Sequence, residues 1–247
     1  MRPYELDWWS TSVEALSADA FDELASVCSG VEMQRAERFV FARDRRSYLA
    51  AHGLLRLALS AADPARLPGE WHFANGPHGR PELSEQIHSA LRFNLSHCAT
   101  RVTCVVCLEL DCGVDVESVS RSQASPAIDA YCLAQSEQTR IDRLAGAERE
   151  VEFTRLWTLK EALAKAVGMG LHLPFAELEF GLDPHPLVLA VPAQATGPWW
   201  LAQHFTGDGH VESLALRIDS EWPIEVARIE WAGSHSTVMT AGRHALR

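Results

Sequence analysis

One segment in the second half of the sequence shows a helical pattern of apolar and polar positions. Apolar residues recur there three or four positions apart, which predicts one buried face on a helix. These residues are Phe153, Leu156, Trp157, Leu163, Ala164 and Val167. Lys160 lies in the middle of that face, where an ammonium is costly to bury without an anionic partner. Glycine at 168 and 170 predicts that the helix ends there.

Other segments alternate apolar and polar residues, or are apolar throughout, as strands do. Residues 91–97 and 112–118 alternate, and residues 102–110 form an apolar run typical of a buried strand. Further strands are predicted at 175–182, 187–191, 199–205 and 211–218. Helices are predicted at 12–39 and 48–59, and a mobile, serine-rich loop at 118–127. This mixture predicts an α/β (α+β) protein.

Helices and strands are distributed similarly in the two halves of the sequence, although no residue-level repeat relates them. The length of 247 residues suits one large domain or two of about 120 residues each. We predict an N-terminal half at 1–112 and a C-terminal half at 113–232. Residues 233–247 show no regular pattern and are predicted to form a flexible tail.

Charge and composition restrict the function. The chain has 33 acidic and 22 basic residues and a net charge of −11, which argues against nucleic-acid binding. No apolar run has the length of a membrane helix, and the N-terminus lacks a secretory pattern, so we expect a cytoplasmic protein. The six cysteines are then expected to be reduced.

Cys104 and Cys107 form a Cys-x-x-Cys sequence inside the predicted buried strand. A zinc site is one interpretation of this spacing. No second pair of cysteine or histidine ligands completes such a site elsewhere in the sequence. Buried structural thiols are therefore the favoured interpretation.

Both lysines of the chain, Lys160 and Lys165, fall in the helical segment described first, and every other basic residue is arginine. A compact ammonium differs from a planar guanidinium in hydration and in hydrogen-bond geometry. Glu161 lies four residues before Lys165, on the same flank of the helix. The arrangement indicates a specific chemical role, and an ordinary surface Glu–Lys pair is the alternative.

Two acidic residues occupy the alternating segment that follows Cys112. Asp115 and Glu117 are two positions apart, so in a strand their side chains point to the same face. Carboxylates this close repel each other unless a cation lies between them, and such hard oxygen ligands suit Mg²⁺. A solvent-facing strand edge with two acids is the alternative.

An arginine-rich segment precedes the second predicted helix. Asp44 is a candidate N-cap, which would place Arg45 and Arg46 in the first helical turn. Positive charge there opposes the helix dipole, but a bound anion such as phosphate would compensate for it. Two solvated arginines are the alternative interpretation.

Three further polar residues lie where the chain turns or a strand ends. Arg80 stands between Gly79 and Pro81, whose special backbone geometry fixes its approach. Ser96 and His97 end the alternating strand at 91–97. Each is a weak indication of a binding site by itself.

These pieces together resemble the 4′-phosphopantetheinyl transferases, specifically the long, surfactin-synthetase-activating type. The resemblance rests on Gly-Val-Asp-Val-Glu at 113–117 and on Trp-Thr-Leu-Lys-Glu-Ala-Leu-Ala-Lys at 157–165. Supporting segments lie at 39–44, 79–81, 94–97 and 168–171, and the resemblance covers roughly residues 30–220. It implies a pseudo-twofold fold of two similar α/β halves, with the active site at their junction.

The family resemblance also implies an activity. Such an enzyme transfers the 4′-phosphopantetheine group of coenzyme A to a serine of an acyl or peptidyl carrier protein and releases adenosine 3′,5′-bisphosphate. By position, Asp115, Glu117 and Glu161 resemble the Mg²⁺ ligands, with the pyrophosphate of coenzyme A completing the shell. Glu161 also resembles the base for the carrier serine. Lys165 resembles the group that neutralises the leaving phosphate.

The resemblance implies a set of coenzyme A contacts as well. They are Arg43, Arg46, Arg80, Ser96 and His97, and Lys160 is assigned to the same set. Two departures from the family pattern concern this set. Arg80 stands where the family often has lysine, and Ser47 stands where many members have a basic residue.

The expected partners are a carrier protein and coenzyme A, with no nucleic acid and no membrane, and the chain is expected to be a monomer. Two other functions stay open at this point. One is a catalytically silent homologue that binds carrier proteins, and the other is a Mg²⁺-dependent phosphohydrolase. Release of the nucleotide only in the presence of carrier protein separates transfer from hydrolysis.

Overall fold

The computed structural model describes residues 5–76, 78–119, 131–218 and 224–233. These residues divide into two compact units. The first contains the residues up to Leu110 together with residues 224–233, and the second runs from Asp111 to residue 218. The prediction that the C-terminal half extends to 232 is therefore wrong at its end. Of the predicted tail at 233–247, residues 234–247 lie outside the described residues.

The first unit contains a four-stranded sheet, a two-stranded ribbon and three helices. Its strands are β1 (Glu5–Ser12), β2 (Phe73–Asn75), β3 (Pro81–Leu83), β4 (Leu91–His97), β5 (Arg101–Leu108) and β11 (Glu225–Glu230). Its helices are α1 (Ala18–Ser26), α2 (Gly30–Ala36) and α3 (Ala42–Ala62). The sheet order is β11-β1-β5-β4, in which β11 is parallel to β1 and the other pairs are antiparallel. Strands β2 and β3 form the ribbon.

The second unit contains a three-stranded antiparallel sheet in the order β6-β10-β9 and a two-stranded ribbon of β7 and β8. These strands are β6 (Asp111–Ser118), β7 (Glu179–Gly181), β8 (Leu187–Ala190), β9 (Trp199–Phe205) and β10 (His210–Arg217). Among the described residues, two complete α-helices of this unit are α4 (Gln135–Ile141) and α5 (Gly146–Val167). The described elements confirm a mixed α/β fold class.

Helix α5 is the element that the sequence predicted most closely. Leu156, Leu159 and Leu163 are fully buried within one apolar cluster. Burial of each such side chain contributes about 1.5–3 kcal/mol relative to exposure. The helix ends at Gly168, whose φ of 82° is left-handed, and its amide donates to Ala164 O at 3.0 Å. The predicted helix end is confirmed.

Strand β6 approaches α5 closely at Gly113. A Cβ atom at Gly113 would lie 2.0 Å from the carbonyl oxygen of Ala162 and 2.5 Å from the amide nitrogen of Ala166. Real Cβ atoms do not approach backbone atoms so closely. The strand therefore reaches the helix backbone only because residue 113 has no side chain.

The sequence did not predict the two strands β1 and β11. Strand β1 lies between β5 and β11, and its alternate residues Leu6, Trp8 and Ser10 are buried. Strand β11 pairs with β1 across more than 200 residues of sequence, from Glu5 with Glu225 to Ser10 with Glu230. The predicted helix at 12–39 consists of the end of β1 followed by α1 and α2.

The described cysteines favour the structural interpretation. Cys104 and Cys107 are fully buried in β5, and their odd separation places their side chains on opposite faces of the sheet. None of the six cysteines, all of which are described, forms a disulfide. No helix in the described ranges is long and apolar enough to cross a membrane.

The close approach of β6 to α5 generates a prediction for stability. We expect Gly113→Ala to lower the free energy of unfolding by at least the roughly 1–3 kcal/mol typical of overpacking, because its Cβ meets backbone rather than a movable side chain. Gly207→Ala is the matched control, since a Cβ there meets nothing within 4 Å. Thermal melts of both variants check this. Equal melting temperatures would contradict the close approach.

Candidate active site

Strand β6 and helix α5 bring four charged side chains of the second unit together. Asp115 and Glu117 extend from alternate positions of β6, and Glu161 and Lys165 lie one turn apart on α5. Asp115 is 4% exposed, and its Oδ1 accepts a hydrogen bond from Lys165 Nζ at 2.6 Å. The same ammonium donates to Val114 O at 3.2 Å. A salt bridge thus joins the strand to the helix beside the two glutamates.

Burial and the neighbouring charges hold the pKa values of two carboxyl groups in this cluster near neutral pH. Burial and the charges of Asp115 and Glu161 together raise the pKa of Glu117 to about 7, against the opposing effects of Lys165 and His210. Burial also raises the pKa of Glu161 to about 7, together with the charge of Asp115 and against that of Lys165. One lysine does not compensate for three carboxylates.

The donor set suits a hard divalent cation. Three carboxylates within electrostatic range of one another supply oxygen ligands, and a cation would relieve the repulsion that raises two of their pKa values. Among the described residues, no group of three or more His, Cys, Asp or Glu side chains is already placed to hold a metal by itself. Mg²⁺ does not require such a cage, because it is usually bound by one or two carboxylates, waters and substrate phosphates.

Lys160 has a different environment from Lys165, although both are on α5. Its side chain is fully buried, and its ammonium lies 2.7 Å from Glu137 Oε2. It also donates to the carbonyl oxygens of Phe175, at 2.9 Å, and Leu178. The predicted anionic partner is therefore present. The assignment of Lys160 to the coenzyme A contacts is wrong, because three protein oxygens surround its ammonium and no part of the side chain is exposed.

The remaining predicted coenzyme A contacts lie in the first unit. Helix α3 begins at Ala42, with Phe41 as its N-cap, so Asp44 is in the first turn and is not the cap. Arg43 is in that first turn and is largely exposed, 3.4 Å from Asp44 Oδ1. Arg45 is also exposed. Both are accessible to an anion.

Arg46 differs from its two neighbours. Its guanidinium donates to Val13 O at 3.4 Å and to Leu16 O at 3.1 Å, and it stacks 4.1 Å from the centre of the Phe21 ring. These contacts fasten α3 to the segment that follows β1. Arg46 therefore has a structural role that the sequence did not indicate, and its place among the coenzyme A contacts stays a prediction.

Arg80 and the end of β4 complete the predicted set. Arg80 is half-buried in the turn that joins β2 to β3, next to Gly79, whose φ is 79°. Ser96 is 7% exposed and His97 is exposed. As neighbours in a strand, Ser96 and His97 point to opposite faces of the sheet, so one ligand surface meets only one of the two side chains.

Two residues next to these sites make contacts that the sequence did not predict. Ser47 is 1% exposed, and its hydroxyl lies 3.1 Å from His97 Nδ1. His210 is 5% exposed, lies 3.0 Å from Asp208 Oδ1, and is close enough for its charge to lower the pKa of Glu117. Both depend on contacts between segments far apart in sequence, and no local pattern indicates either one.

Comparison with known proteins gives similarity to one family across both units. A model of the 4′-phosphopantetheinyl transferase superfamily matches residues 111–224. A second model, of the N-terminal part of 4′-phosphopantetheinyl transferase, matches residues 13–108.

Individual proteins show the same similarity. The chain is 30% identical over 196 residues to the 4′-phosphopantetheinyl transferase HetI of Nostoc sp. (strain PCC 7120), a match that covers 78% of this chain and 80% of HetI. It is 28% identical over 155 residues to the 4′-phosphopantetheinyl transferase gsp of Aneurinibacillus migulanus, covering 62% of each protein.

Among solved structures, a holo-(acyl-carrier-protein) synthase from Bacillus anthracis, in complex with coenzyme A, matches with 19% identity and a TM-score of 0.37. The match covers 44% of this chain and 96% of the synthase. A similarity of that size supports no structural argument.

The acidic cluster generates a prediction for metal-free protein. Because Glu117 and Glu161 keep their protons to about pH 7 in the folded state, their ionisation destabilises the fold as pH rises from about 4.5 to 7. We expect Glu161→Gln to be more stable than wild type above pH 7, by about 1–3 kcal/mol, and equally stable below pH 4.5. Thermal melts with chelator across this range measure the difference.

Asp115→Asn serves as the comparison in the same melts. Removing the negative charge of Asp115 relieves repulsion but also breaks the 2.6 Å ion pair with Lys165. We therefore expect Asp115→Asn to be less stable than Glu161→Gln above pH 7. The stability difference between wild type and Glu161→Gln should vary with pH. A difference that stays constant would show that folding does not raise the pKa of Glu161.

Proposed function

The chain belongs to the 4′-phosphopantetheinyl transferase superfamily, and from this premise we propose that it is an enzyme that transfers 4′-phosphopantetheine from coenzyme A to a serine of an acyl or peptidyl carrier protein. The second product is adenosine 3′,5′-bisphosphate. We expect it to act in the cytoplasm as a monomer, without nucleic-acid or membrane partners. The observation that carries the proposal is the cluster of Asp115, Glu117, Glu161 and Lys165 on β6 and α5.

The reaction requires charge neutralisation and one proton transfer. The carrier serine oxygen attacks the β-phosphorus of coenzyme A, and the bond from that phosphorus to the bridging oxygen breaks, leaving the nucleotide phosphate. Asp115, Glu117 and Glu161 would hold the Mg²⁺, which neutralises pyrophosphate charge when it is bound. The serine proton needs a base within hydrogen-bond reach.

Glu161 is the proposed base because its pKa of about 7 lets it accept a proton near neutral pH. A bound cation lowers the pKa of its ligands, so the roles of ligand and base compete at this residue. Lys165 is the proposed partner of the leaving phosphate. Its side chain is 25% exposed, and its ammonium is held at the cluster by Asp115 and Val114 O.

An apolar surface in the second unit supports contact with a carrier protein. Tyr131 and Leu171 are each 58% exposed, and the Tyr131 hydroxyl donates to Leu171 O at 3.2 Å. We propose that the carrier docks here by apolar contact, next to the segment that follows Glu117. Most of the predicted loop at 118–127 lies outside the described residues, which include only Ser118 and Val119 of it.

Mass spectrometry of candidate apo-carrier proteins tests the activity. We expect a carrier to gain the phosphopantetheine mass on incubation with coenzyme A, Mg²⁺ and the enzyme, and Asp115→Ala and Glu161→Ala to abolish the gain in proteins that still melt cooperatively. Nucleotide release without carrier would indicate a phosphohydrolase. Carrier binding without any mass gain in wild type would indicate a catalytically silent homologue.

Lys165→Arg tests the need for a compact ammonium. A guanidinium keeps the charge, but it is wider and cannot donate a proton to the leaving oxygen near neutral pH. We therefore expect kcat to fall by about 10² or more, the size typical of one well-placed stabilising group, with little change in coenzyme A binding. Single-turnover rates measure this effect. A wild-type rate would show that positive charge alone is sufficient.

The nucleotide contacts generate a separate prediction. We expect Arg43→Ala and Arg80→Ala to raise the KM for coenzyme A. Both variants should also reduce the preference of the enzyme for coenzyme A over dephospho-coenzyme A, because a guanidinium binds phosphate oxygens through two hydrogen bonds. Arg46→Ala should instead lower the melting temperature, since its guanidinium binds two backbone carbonyls.

Steady-state kinetics with both substrates, and melts of the same proteins, check the nucleotide contacts. Arg92→Ala, at an exposed position of β4, is the control for loss of a surface arginine. Unchanged discrimination in both the Arg43 and the Arg80 variants would mean that the 3′-phosphate binds elsewhere.

A further inference from the structure

A buried hydroxyl links helix α3 to the end of strand β4. Ser47 is 1% exposed, and its Oγ lies 2.6 Å from Cys98 O and 3.1 Å from His97 Nδ1. His97 is the last residue of β4 and is exposed. One serine thus contacts both the ring of His97 and the backbone of the residue that follows it.

Counting protons fixes the direction of these two hydrogen bonds. A serine hydroxyl has one proton to donate, and a carbonyl oxygen can only accept. The Ser47 proton therefore goes to Cys98 O, which is the shorter contact. The hydroxyl oxygen is left to accept, so the proton of the second bond belongs to His97 Nδ1. Ser47 selects the form of His97 that is protonated at Nδ1.

This direction has a consequence for anion binding by the ring. The Nδ1–H to Ser47 bond is the same in neutral histidine and in the imidazolium, so a second proton at Nε2 does not disturb it. The opposite direction, with Ser47 donating to Nδ1, would be lost when the ring became charged. The contact with Ser47 is therefore compatible with the charged form, the form that donates to a phosphate oxygen from Nε2.

We propose that Ser47 is a positioning residue for coenzyme A binding, which holds the His97 ring in the orientation that binds the 3′-phosphate and keeps a proton on Nδ1, as the imidazolium that donates from Nε2 requires. The inference rests on the proposed function, and it takes His97 as a coenzyme A contact, the role that the family resemblance implies for it. Ser47 is too deeply buried to meet the nucleotide itself, so it acts through His97. It supplies no charge: it aligns the ring and accepts from Nδ1–H, and Nε2 becomes a donor when the ring takes up a second proton.

The chain offers a matched control on the same helix. Ser60 is also on α3, and its hydroxyl accepts a hydrogen bond from Trp71 Nε1 at 2.9 Å. Ser60→Ala deletes one hydroxyl and its bond with Trp71, whereas Ser47→Ala deletes one hydroxyl and its bonds with Cys98 O and His97. Any effect common to both variants is loss of stability, and an effect confined to Ser47→Ala belongs to His97.

The first experiment measures the histidine directly. Long-range ¹H–¹⁵N spectra of ¹⁵N-histidine-labelled protein report which ring nitrogen carries the proton, and His97→Ala identifies the signal. We expect Nδ1–H in wild type and in Ser60→Ala, and a shift toward Nε2–H in Ser47→Ala. An Nε2–H ring in wild type overturns the proposal without any activity assay.

The second experiment is a double-mutant cycle on coenzyme A recognition. Calorimetry gives the ratio of affinities for coenzyme A and dephospho-coenzyme A in wild type, Ser47→Ala, His97→Ala and the double variant. We expect the ratio to fall roughly ten-fold in His97→Ala, the size of one charged hydrogen bond, and about five-fold in Ser47→Ala. The double variant should match His97→Ala, because Ser47 acts only through that ring.

The outcomes separate this inference from the proposed function. If His97→Ala leaves the ratio unchanged, His97 does not bind the 3′-phosphate, and both its predicted place among the coenzyme A contacts and the positioning role of Ser47 fail, whereas the mass-spectrometric assay tests the transfer activity separately. If His97→Ala lowers the ratio but Ser47→Ala does not, or if the two losses add, only the positioning role fails. Ser47→Thr retains the hydroxyl and should restore the ratio. In the transfer assay the Ser47→Ala effect should appear in KM rather than in kcat.

Discussion

The candidate site depends on the contact between strand β6 and helix α5 at Gly113. With backbone atoms of α5 only 2.0 and 2.5 Å from where a Cβ would stand, the strand lies directly on the helix. Two and four residues later the strand presents Asp115 and Glu117, while the helix presents Glu161 and Lys165. Because residue 113 has no side chain, β6 and α5 lie close enough for these four charged groups to be neighbours. The 2.6 Å bond from Lys165 to Asp115 joins the two elements.

The two lysines of the chain have different environments because they lie on different faces of the same helix. Lys160 is on the apolar face, where Glu137 and two carbonyl oxygens surround its ammonium. Glu137 also accepts from the amides of Ala134 and Phe180, so the buried pair connects α5 to the start of α4 and to β7. Lys165 is on the flank, beside the acids and partly exposed. The Lys160 side chain is fully buried, whereas the Lys165 side chain is 25% exposed and is accessible to a substrate.

Much of the fold of the second unit could be predicted from local patterns in the sequence. The buried face and the C-terminal end of α5 were predicted from apolar spacing and a terminal glycine, although the helix begins at Gly146, seven residues before the predicted pattern. The shared face of Asp115 and Glu117 was predicted from strand alternation. Contacts between segments far apart in the sequence could not be predicted in this way. The pairing of β1 with β11 has no local sequence signal, and the fastening of Arg46 to Val13 and Leu16 is decided by how α3 packs. Arginine in an exposed role and arginine in a structural role look alike in sequence, as Arg43 and Arg46 do.

The central claim is that β6 and α5 form one site for one divalent ion, completed by substrate phosphate. Equilibrium binding of Mn²⁺ in the presence of coenzyme A, followed by electron paramagnetic resonance, counts the ions directly. The account predicts one ion per chain in wild type and in Glu148→Gln, a surface change in the first turn of α5, and loss of that ion in Asp115→Asn and Glu161→Gln. The same stoichiometry and affinity in all four proteins would contradict it.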